Sequence, residues 1–255
     1  MQYLITGGAG FIGSNYAFRL LKRGEQVTLY DNLSRRGAQA NLQWLASTYG
    51  EDAFRFVQGD VRDPALLTAA AYEADVIVHL AAQVAVTTSV EQPRRDIEIN
   101  ALGTFLCCRQ AVPLMTEGGA ILNISSILGF NTLKNCTMYA ASKGGVEGFS
   151  RALAVDLAQK GIRVNVLRPG MVNVERDTVS PDDPLYDEIC ARILAGRPGT
   201  VEDMAPMAVL LCSEDAGFIT GQTICADGGQ NVLLSAPFAM GFSSPEGDLK
   251  DLPDH

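Results

Sequence analysis

Tyr3-Leu4-Ile5-Thr6-Gly7-Gly8-Ala9-Gly10-Phe11-Ile12-Gly13 is the stretch that decides the fold of this chain. A short β-rich run leads straight into Gly7-x-x-Gly10-x-x-Gly13, and helical periodicity follows from Phe11. Glycine at those positions permits a tight turn and close backbone approach, and the helix start offers N–H donors to a pyrophosphate. A glycine triplet alone is weak, because any strand-to-helix turn favours glycine. Here, however, a second strand pattern ends on Asp31, eighteen residues past Gly13. That is where an acid meets the adenosine ribose hydroxyls of a dinucleotide. A carboxylate there repels the extra phosphate of NADP, so NAD is the expected cofactor. Arg35 and Arg36 lie close enough in sequence to pair with such a phosphate, which keeps NADP as the weaker alternative.

The same rhythm runs outward along the chain. Strand patterns occur at Tyr3–Thr6, Gln26–Tyr30, Phe54–Gln58, Asp75–Leu80, Ala120–Ser125, Arg163–Arg168 and Thr223–Ala226. Helical patterns occupy Phe11–Arg23, Gln39–Thr48, Pro64–Ala71, Asp96–Met115, Thr137–Gln159, Pro184–Leu194 and Val201–Cys212. Alternation of this kind predicts an α/β fold: a doubly wound, mostly parallel Rossmann sheet of seven strands in a three-layer α/β/α sandwich. Residues 1–232 read as one domain and 233–255 as an acidic, Pro/Gly-punctuated tail. Met171–Thr200 breaks the rhythm with three prolines and four acids between Asp177 and Asp187. It follows a strand's carboxyl end, so it reads as a substrate lid, or more plainly as an irregular surface connection.

Composition narrows the function. The 255 residues are 47% hydrophobic with a net charge of −9. No basic stripe exists to neutralise phosphates, so a nucleic-acid partner is not expected. No apolar run approaches the length of a membrane span, and no signal peptide is apparent at Met1-Gln2-Tyr3, so a cytoplasmic protein is expected. The six cysteines lack metal-site spacing and sit mostly in apolar contexts; reduced core thiols are expected, and no metal.

Chemistry concentrates at the middle. Tyr139-Ala140-Ala141-Ser142-Lys143 places Tyr139 and Lys143 four residues apart, on one face of a helix. Ser126 ends an apolar strand thirteen residues before Tyr139. An unperturbed phenol titrates near ~10, too high for proton exchange at neutral pH. A lysine ammonium one turn away, together with the positive oxidised nicotinamide, is expected to lower that value. Tyr139 then exchanges the proton of a substrate oxygen, Ser126 holds that oxygen by hydrogen bond, and Lys143 also binds cofactor ribose. A lone Tyr-x-x-x-Lys means little; behind a strand-terminal serine and a dinucleotide loop it points to carbonyl–alcohol chemistry. Asp60-Val61 follows the third strand, placed to touch adenine. Leu80-Ala81-Ala82 ends the fourth with small residues where backbone approaches the cofactor. His79 reads as a packed core histidine ahead of a catalytic one.

With those residues named, the chain resembles the short-chain dehydrogenase/reductase superfamily over nearly its whole length. Residues 1 to about 100 look like the extended branch, through Ile5–Asn15, Asp31-Asn32-Leu33-Ser34-Arg35, Gly59–Asp63 and His79–Gln83. The CDP-paratose/CDP-tyvelose 2-epimerase group is most alike, through Asp31–Gly37 and Asn41–Leu45. From about 101 onward the chain looks like the compact, single-domain branch, through Asn123–Gly129, Tyr139–Lys143, Gly161–Asn165, Arg168-Pro169-Gly170 and Ile219–Gly229. The mixture implies either an engineered or recombined chimera, joined near Asn100, or a divergent natural hybrid. The resemblance gives Asn100 a place in a water-linked proton relay through the lysine. It adds Phe11, Ile12, Asn32, Arg35, Pro169, Gly170 and Val172 to the cofactor-binding set. The compact branch carries a carboxamide-contacting threonine where this chain has Val174, with Thr178 as the possible substitute.

Three functions are therefore expected in competition. The first is an NAD-dependent secondary alcohol–ketone oxidoreductase using Ser126, Tyr139, Lys143 and Asn100 on a small-molecule substrate. The second is a chimeric protein that binds dinucleotide with little activity. The third is a sugar-nucleotide epimerase with retained NAD, against which the missing substrate domain counts. The family's helices at Asp96–Met115 and Thr137–Gln159 imply a homodimer or homotetramer; Ile97, Ala101, Leu102, Phe105 and Leu106 either serve that interface or face the sheet.

Overall fold

The computed structural model describes residues 1–72, 74–83, 91–115, 118–173 and 179–233. Its centre is a seven-stranded parallel sheet in the order β3-β2-β1-β4-β5-β6-β7. The strands are β1 (Gln2–Thr6), β2 (Gln26–Asp31), β3 (Arg55–Gln58), β4 (Val76–His79), β5 (Ala120–Ile124), β6 (Arg163–Pro169) and β7 (Thr223–Ala226). Every pairing is parallel, with Tyr3 opposite Val27 on one side and Val76 on the other. Chain order reverses between β1 and β4, and in such a sheet ligands bind at that switch point, beyond the strands' carboxyl ends.

Alternation along the strands builds two cores. Tyr3, Ile5, Val27, Leu29, Val76 and Val78 face one layer; Leu4, Tyr30, Ile77, Ile121 and Val164 face the other. With successive side chains on opposite sheet faces, both faces must be covered. Helices α1 (Phe11–Lys22), α2 (Ala38–Tyr49) and the later α7 (Val201–Cys212) cover the first face through residues such as Tyr16, Leu20, Leu45 and Ala208. The second face is closed by α3 (Pro64–Ala70), α4 (Gly103–Ala111) and α5 (Thr137–Asp156), through Leu67, Cys107, Ala111 and Ala154. Asp63 caps α3, its carboxylate accepting from the Ala65 and Leu66 N–H groups, with Pro64 at the first helical position, a favoured pairing of cap and starter. All six cysteines are free. Among the described residues no helix is long and apolar enough to cross a membrane, and no His/Cys/Asp/Glu group is arranged to hold a metal.

Two elements differ from the sequence reading. The expected helix Asp96–Met115 is composite: a turn at Pro93–Arg95, a π-helical segment at Asp96–Leu102, then α4. Bonding from i to i+5 widens the helix, a feature that hydrophobic spacing does not reveal. Along this run Ile97, Leu102 and Phe105 are exposed while Cys107, Cys108 and Ala111 are buried, so the apolar residues do not all face the sheet. The expected helix Pro184–Leu194 shrinks to α6 (Tyr186–Cys190), because turns about Asp183 and Gly196 bound it. Residues 174–178, with Val174 and Thr178, and the tail from 234 lie outside the described residues.

Candidate functional site

The glycine loop joins β1 to α1 at the switch point. Gly7 has φ +70°, and a Cβ there would stand 2.6 Å from the Ala81 backbone nitrogen. At Gly13 a Cβ would stand 2.5 Å from the Gly7 carbonyl oxygen. Both clashes are with backbone, so neither position admits a side chain without moving the main chain. Gly10 occupies the N-cap of α1 with no side-chain cap, which leaves the N–H groups of the first turn, at Phe11 and Ile12, directed outward. This cradle, open to a phosphate and closed to side chains, fits a dinucleotide pyrophosphate.

Asp31 ends β2 beside the loop. One carboxylate oxygen accepts the Ala9 N–H at 3.1 Å and the other the Leu33 N–H at 2.8 Å. Burial raises its pKa, opposed by those backbone bonds. Asn41 Nδ2 donates to the Ala9 carbonyl at 2.9 Å, so two side chains pin the loop at one residue. Arg35 Nη2 donates to the Ala82 carbonyl at 3.3 Å, joining the β2 end to the β4 end. Asp60 is bound elsewhere: Arg62 grips it through two bonds of 2.8 Å and Asn32 Nδ2 donates to it at 3.1 Å. The Arg62 contact holds its carboxyl well below the usual range. Val61 is buried in the second core. At the far edge Gly170 abuts Asp227, Pro169 ends β6, and Val172 bridges to Gly199.

The three residues of the expected reaction site converge beyond β5. Tyr139 and Lys143 are buried on α5, and the Tyr139 phenol is close enough to Ser126 for the serine to favour its ionised form. Ser126 Oγ also accepts the Leu128 N–H at 3.2 Å, capping a short turn that fixes the serine. Lys143 Nζ donates to the Ile124 carbonyl at 3.1 Å and lies 5.9 Å from the Tyr139 ring centroid. Burial lowers the lysine pKa to about 8, with Asp96 opposing that fall.

Burial raises the tyrosine pKa, against a smaller lowering by Ser126, where the lysine and the charge of the oxidised nicotinamide together were expected to lower it. Desolvation of the phenolate outweighs what the neighbouring polar groups return. Asn100 makes three side-chain bonds. It accepts the Gln83 N–H at 2.8 Å and donates to the Gln83 carbonyl and to Ser142 Oγ, both at 3.1 Å. It therefore ties the loop after β4 to the α5 turn that carries Tyr139 and Lys143. His79 is bonded to Thr6 Oγ1 at 2.7 Å, and burial pushes its pKa down to about 3. It is neutral at physiological pH.

Sequence reasoning passed over a buried network beneath the site. Arg168 Nε donates to Glu147 Oε1 at 2.8 Å and Nη2 to Glu147 Oε2 at 2.5 Å, while Ser125 Oγ donates to Oε1 at 2.7 Å. Glu147 lies one helical turn past Lys143, a spacing visible in sequence; its partner on β6 is not.

The comparisons with known proteins follow this geometry. A family model described as enoyl-(acyl carrier protein) reductase matches residues 8–231. A 2-dehydro-3-deoxy-L-rhamnonate dehydrogenase (NAD(+)) from Sphingomonas sp. (strain SKA58) is 34% identical over 245 residues, 90% of this chain and 95% of that protein. The chain belongs to the short-chain dehydrogenase/reductase superfamily. It is an oxidoreductase enzyme with the family's Rossmann-like fold. A short-chain dehydrogenase/reductase from Mycobacterium ulcerans superposes with TM-score 0.81 at 28% identity, covering 91% of this chain and 90% of that one. ElxO with NADP bound gives TM-score 0.78 at 29% identity, covering 91% and 99%. Short-chain dehydrogenase/reductase relatives thus bind nicotinamide dinucleotides of both kinds.

Proposed function

We propose that this protein is an NAD-dependent dehydrogenase interconverting a secondary alcohol and a ketone through Ser126, Tyr139 and Lys143. One observation carries the reading: a buried phenol and a buried lysine one turn apart, near the serine just past β5, beside a cradle that admits no side chain. Bound there, the dinucleotide supplies the hydride acceptor or donor. Gly7, Gly10 and Gly13, with the Phe11 and Ile12 backbone, hold its pyrophosphate. Asp31 holds the adenosine ribose, with Asn32 and Arg35 alongside and the Asp60–Val61 backbone near the adenine. Leu80, Ala81, Ala82, Pro169, Gly170 and Val172 surround the nicotinamide half.

Ser126 donates a hydrogen bond to the substrate oxygen and stabilises the charge that develops there. Tyr139 takes the alcohol proton in oxidation and returns it in reduction. Lys143 supplies the positive charge that makes the phenolate accessible and donates to the ribose. Asn100 acts by fixing α5 to the β4 loop. Burial of Tyr139 and Lys143 excludes water, which strengthens each of these interactions.

The mixed ancestry belongs to the same proposal. The front segment carries extended-branch motifs and the back segment compact-branch motifs, joined near Asn100. The Asn100 bonds to Gln83 and Ser142, and cores drawing on both segments, support a join that keeps the site assembled. Activity is therefore expected rather than mere binding. Turnover of NAD against a panel of polyols, sugar acids and simple secondary alcohols tests this. Reduction with any member supports the dehydrogenase; silence across the panel, with NAD bound, favours the inactive alternative.

Cofactor choice follows from Asp31. Its replacement by Ser removes a charged acceptor worth about 1.5–3 kcal/mol, so NAD affinity is expected to fall roughly 10- to 100-fold. NADP should lose nothing or gain, since Arg35 then faces the 2′-phosphate without a competing carboxylate. Equal losses for both cofactors in fluorescence titrations would remove the assignment.

A further inference from the structure

The π-helical segment presents a polar stripe to α5. Asp96, Asn100 and Thr104 are 0%, 1% and 3% exposed, spaced four apart along a widened helix that packs on α5. Thr104 Oγ1 donates to the Asn100 carbonyl at 2.6 Å, and Asn100 reaches Ser142, the neighbour of Lys143. Asp96 differs from the other two. Neither of its carboxylate oxygens has a hydrogen-bond partner among the described residues. A buried ionised carboxylate without hydrogen bonds is costly unless a positive charge compensates it.

Among the described residues the surroundings leave one cation for that task. From α5, Lys143 and Tyr139 both feel the Asp96 charge, and Glu147 is engaged by Arg168 and Ser125. From β4, His79 is neutral. On the preceding turn, Arg94 and Arg95 are exposed and bonded to Glu98 and Gln92. Lys143, for its part, is buried with one described hydrogen bond, to a carbonyl. A buried carboxylate without hydrogen bonds and a buried lysine with one thus lie on two packed elements that Asn100 ties together beside Lys143, and in such a low-dielectric space attraction persists without direct contact.

We propose that Asp96 is a positioning residue of this site: its buried carboxylate is the counter-ion that keeps Lys143 an ammonium facing Tyr139. This rests on the catalytic reading given above for Tyr139 and Lys143. Without Asp96, burial alone governs the lysine, which loses its proton at lower pH and leaves the phenolate without its cation. Asp96 also opposes the phenolate directly, since its negative charge raises the tyrosine. Its benefit therefore comes through the lysine and is confined to pH at which Asp96 holds the ammonium and its absence would not.

The test is a pH titration of Lys143 by NMR in protein labelled with 13C at lysine Cε, the resonance being assigned with Lys143→Arg. The wild-type midpoint is expected near about 8. Asp96→Asn should lower it by about one pH unit or more and move the alkaline limb of kcat down with it. Asp96→Glu should restore both. An unmoved Lys143 midpoint in folded Asp96→Asn overturns the proposal, whatever happens to activity. If Tyr139→Phe retains turnover while the lysine midpoint moves, the catalytic reading fails and the counter-ion stands. Should Asp96→Asn not fold, Asp96→Leu/Lys143→Met replaces it. A double variant that folds where either single does not supports the pair, and one no better than the worse single overturns it.

Discussion

Tyr139→Phe is expected to remove turnover while leaving dinucleotide binding almost intact. The substitution deletes one oxygen from a buried ring whose centroid lies 5.9 Å from Lys143 Nζ. The ring volume stays, so α5 keeps its seat, and the glycine cradle lies on other elements. What disappears is the group that exchanges a proton with the substrate oxygen, a contribution of about 10²- to 10⁴-fold. Ser126 cannot replace it: an alcohol is too weak an acid, and its oxygen is already fixed by the Leu128 N–H. Rates from nicotinamide absorbance, set beside calorimetric affinities for NAD, separate the two effects. A variant within threefold of wild-type kcat would sink the assignment of Tyr139. One that loses NAD as fully as it loses rate would mean the ring is structural.

The second large effect concerns stability. Arg168→Met is expected to lower the unfolding free energy by about 3–5 kcal/mol, because it strands a buried carboxylate. The Arg168–Glu147 pair is doubly bonded and its side chains are only 13% and 7% exposed. Arg168 also covers the Phe130 ring, its guanidinium carbon 4.9 Å from the centroid. Ser125, beside the proposed catalytic serine, hangs from the same carboxylate. Loss of the arginine therefore loosens the site floor as well as the core. Replacing both members, as Arg168→Met/Glu147→Leu, should recover much of the loss, since an apolar pair needs no compensation. Urea denaturation reads both. A single-variant loss under about 1 kcal/mol would show that solvent reaches the pair and screens it.

The sheet was legible in the sequence because its strands are short, apolar and regularly spaced by amphipathic helices. Each of the seven strand patterns, from Tyr3–Thr6 to Thr223–Ala226, appears within a residue or so of its expected place. Asp31 was readable from its distance past Gly13, and the Tyr139–Lys143 pair from helical spacing. What sequence could not disclose was how polar groups divide their bonds. Asn100 bonds to Gln83 and Ser142, partners seventeen residues before and forty-two after it. The direction of the Tyr139 shift depended on burial, which a four-residue spacing does not measure. The π-helical register at Asp96–Leu102 likewise depends on backbone bonding.

Calorimetric titration of NAD into the purified protein tests the dinucleotide site most directly, because every role assigned to Ser126, Tyr139 and Lys143 presupposes that cofactor. Saturable binding is expected, tighter for NAD than for NADP, and abolished in Gly13→Val, whose Cβ would enter the space of the Gly7 carbonyl. Absence of heat with both dinucleotides, checked by a fluorescence titration, would contradict it, as would undiminished binding by Gly13→Val.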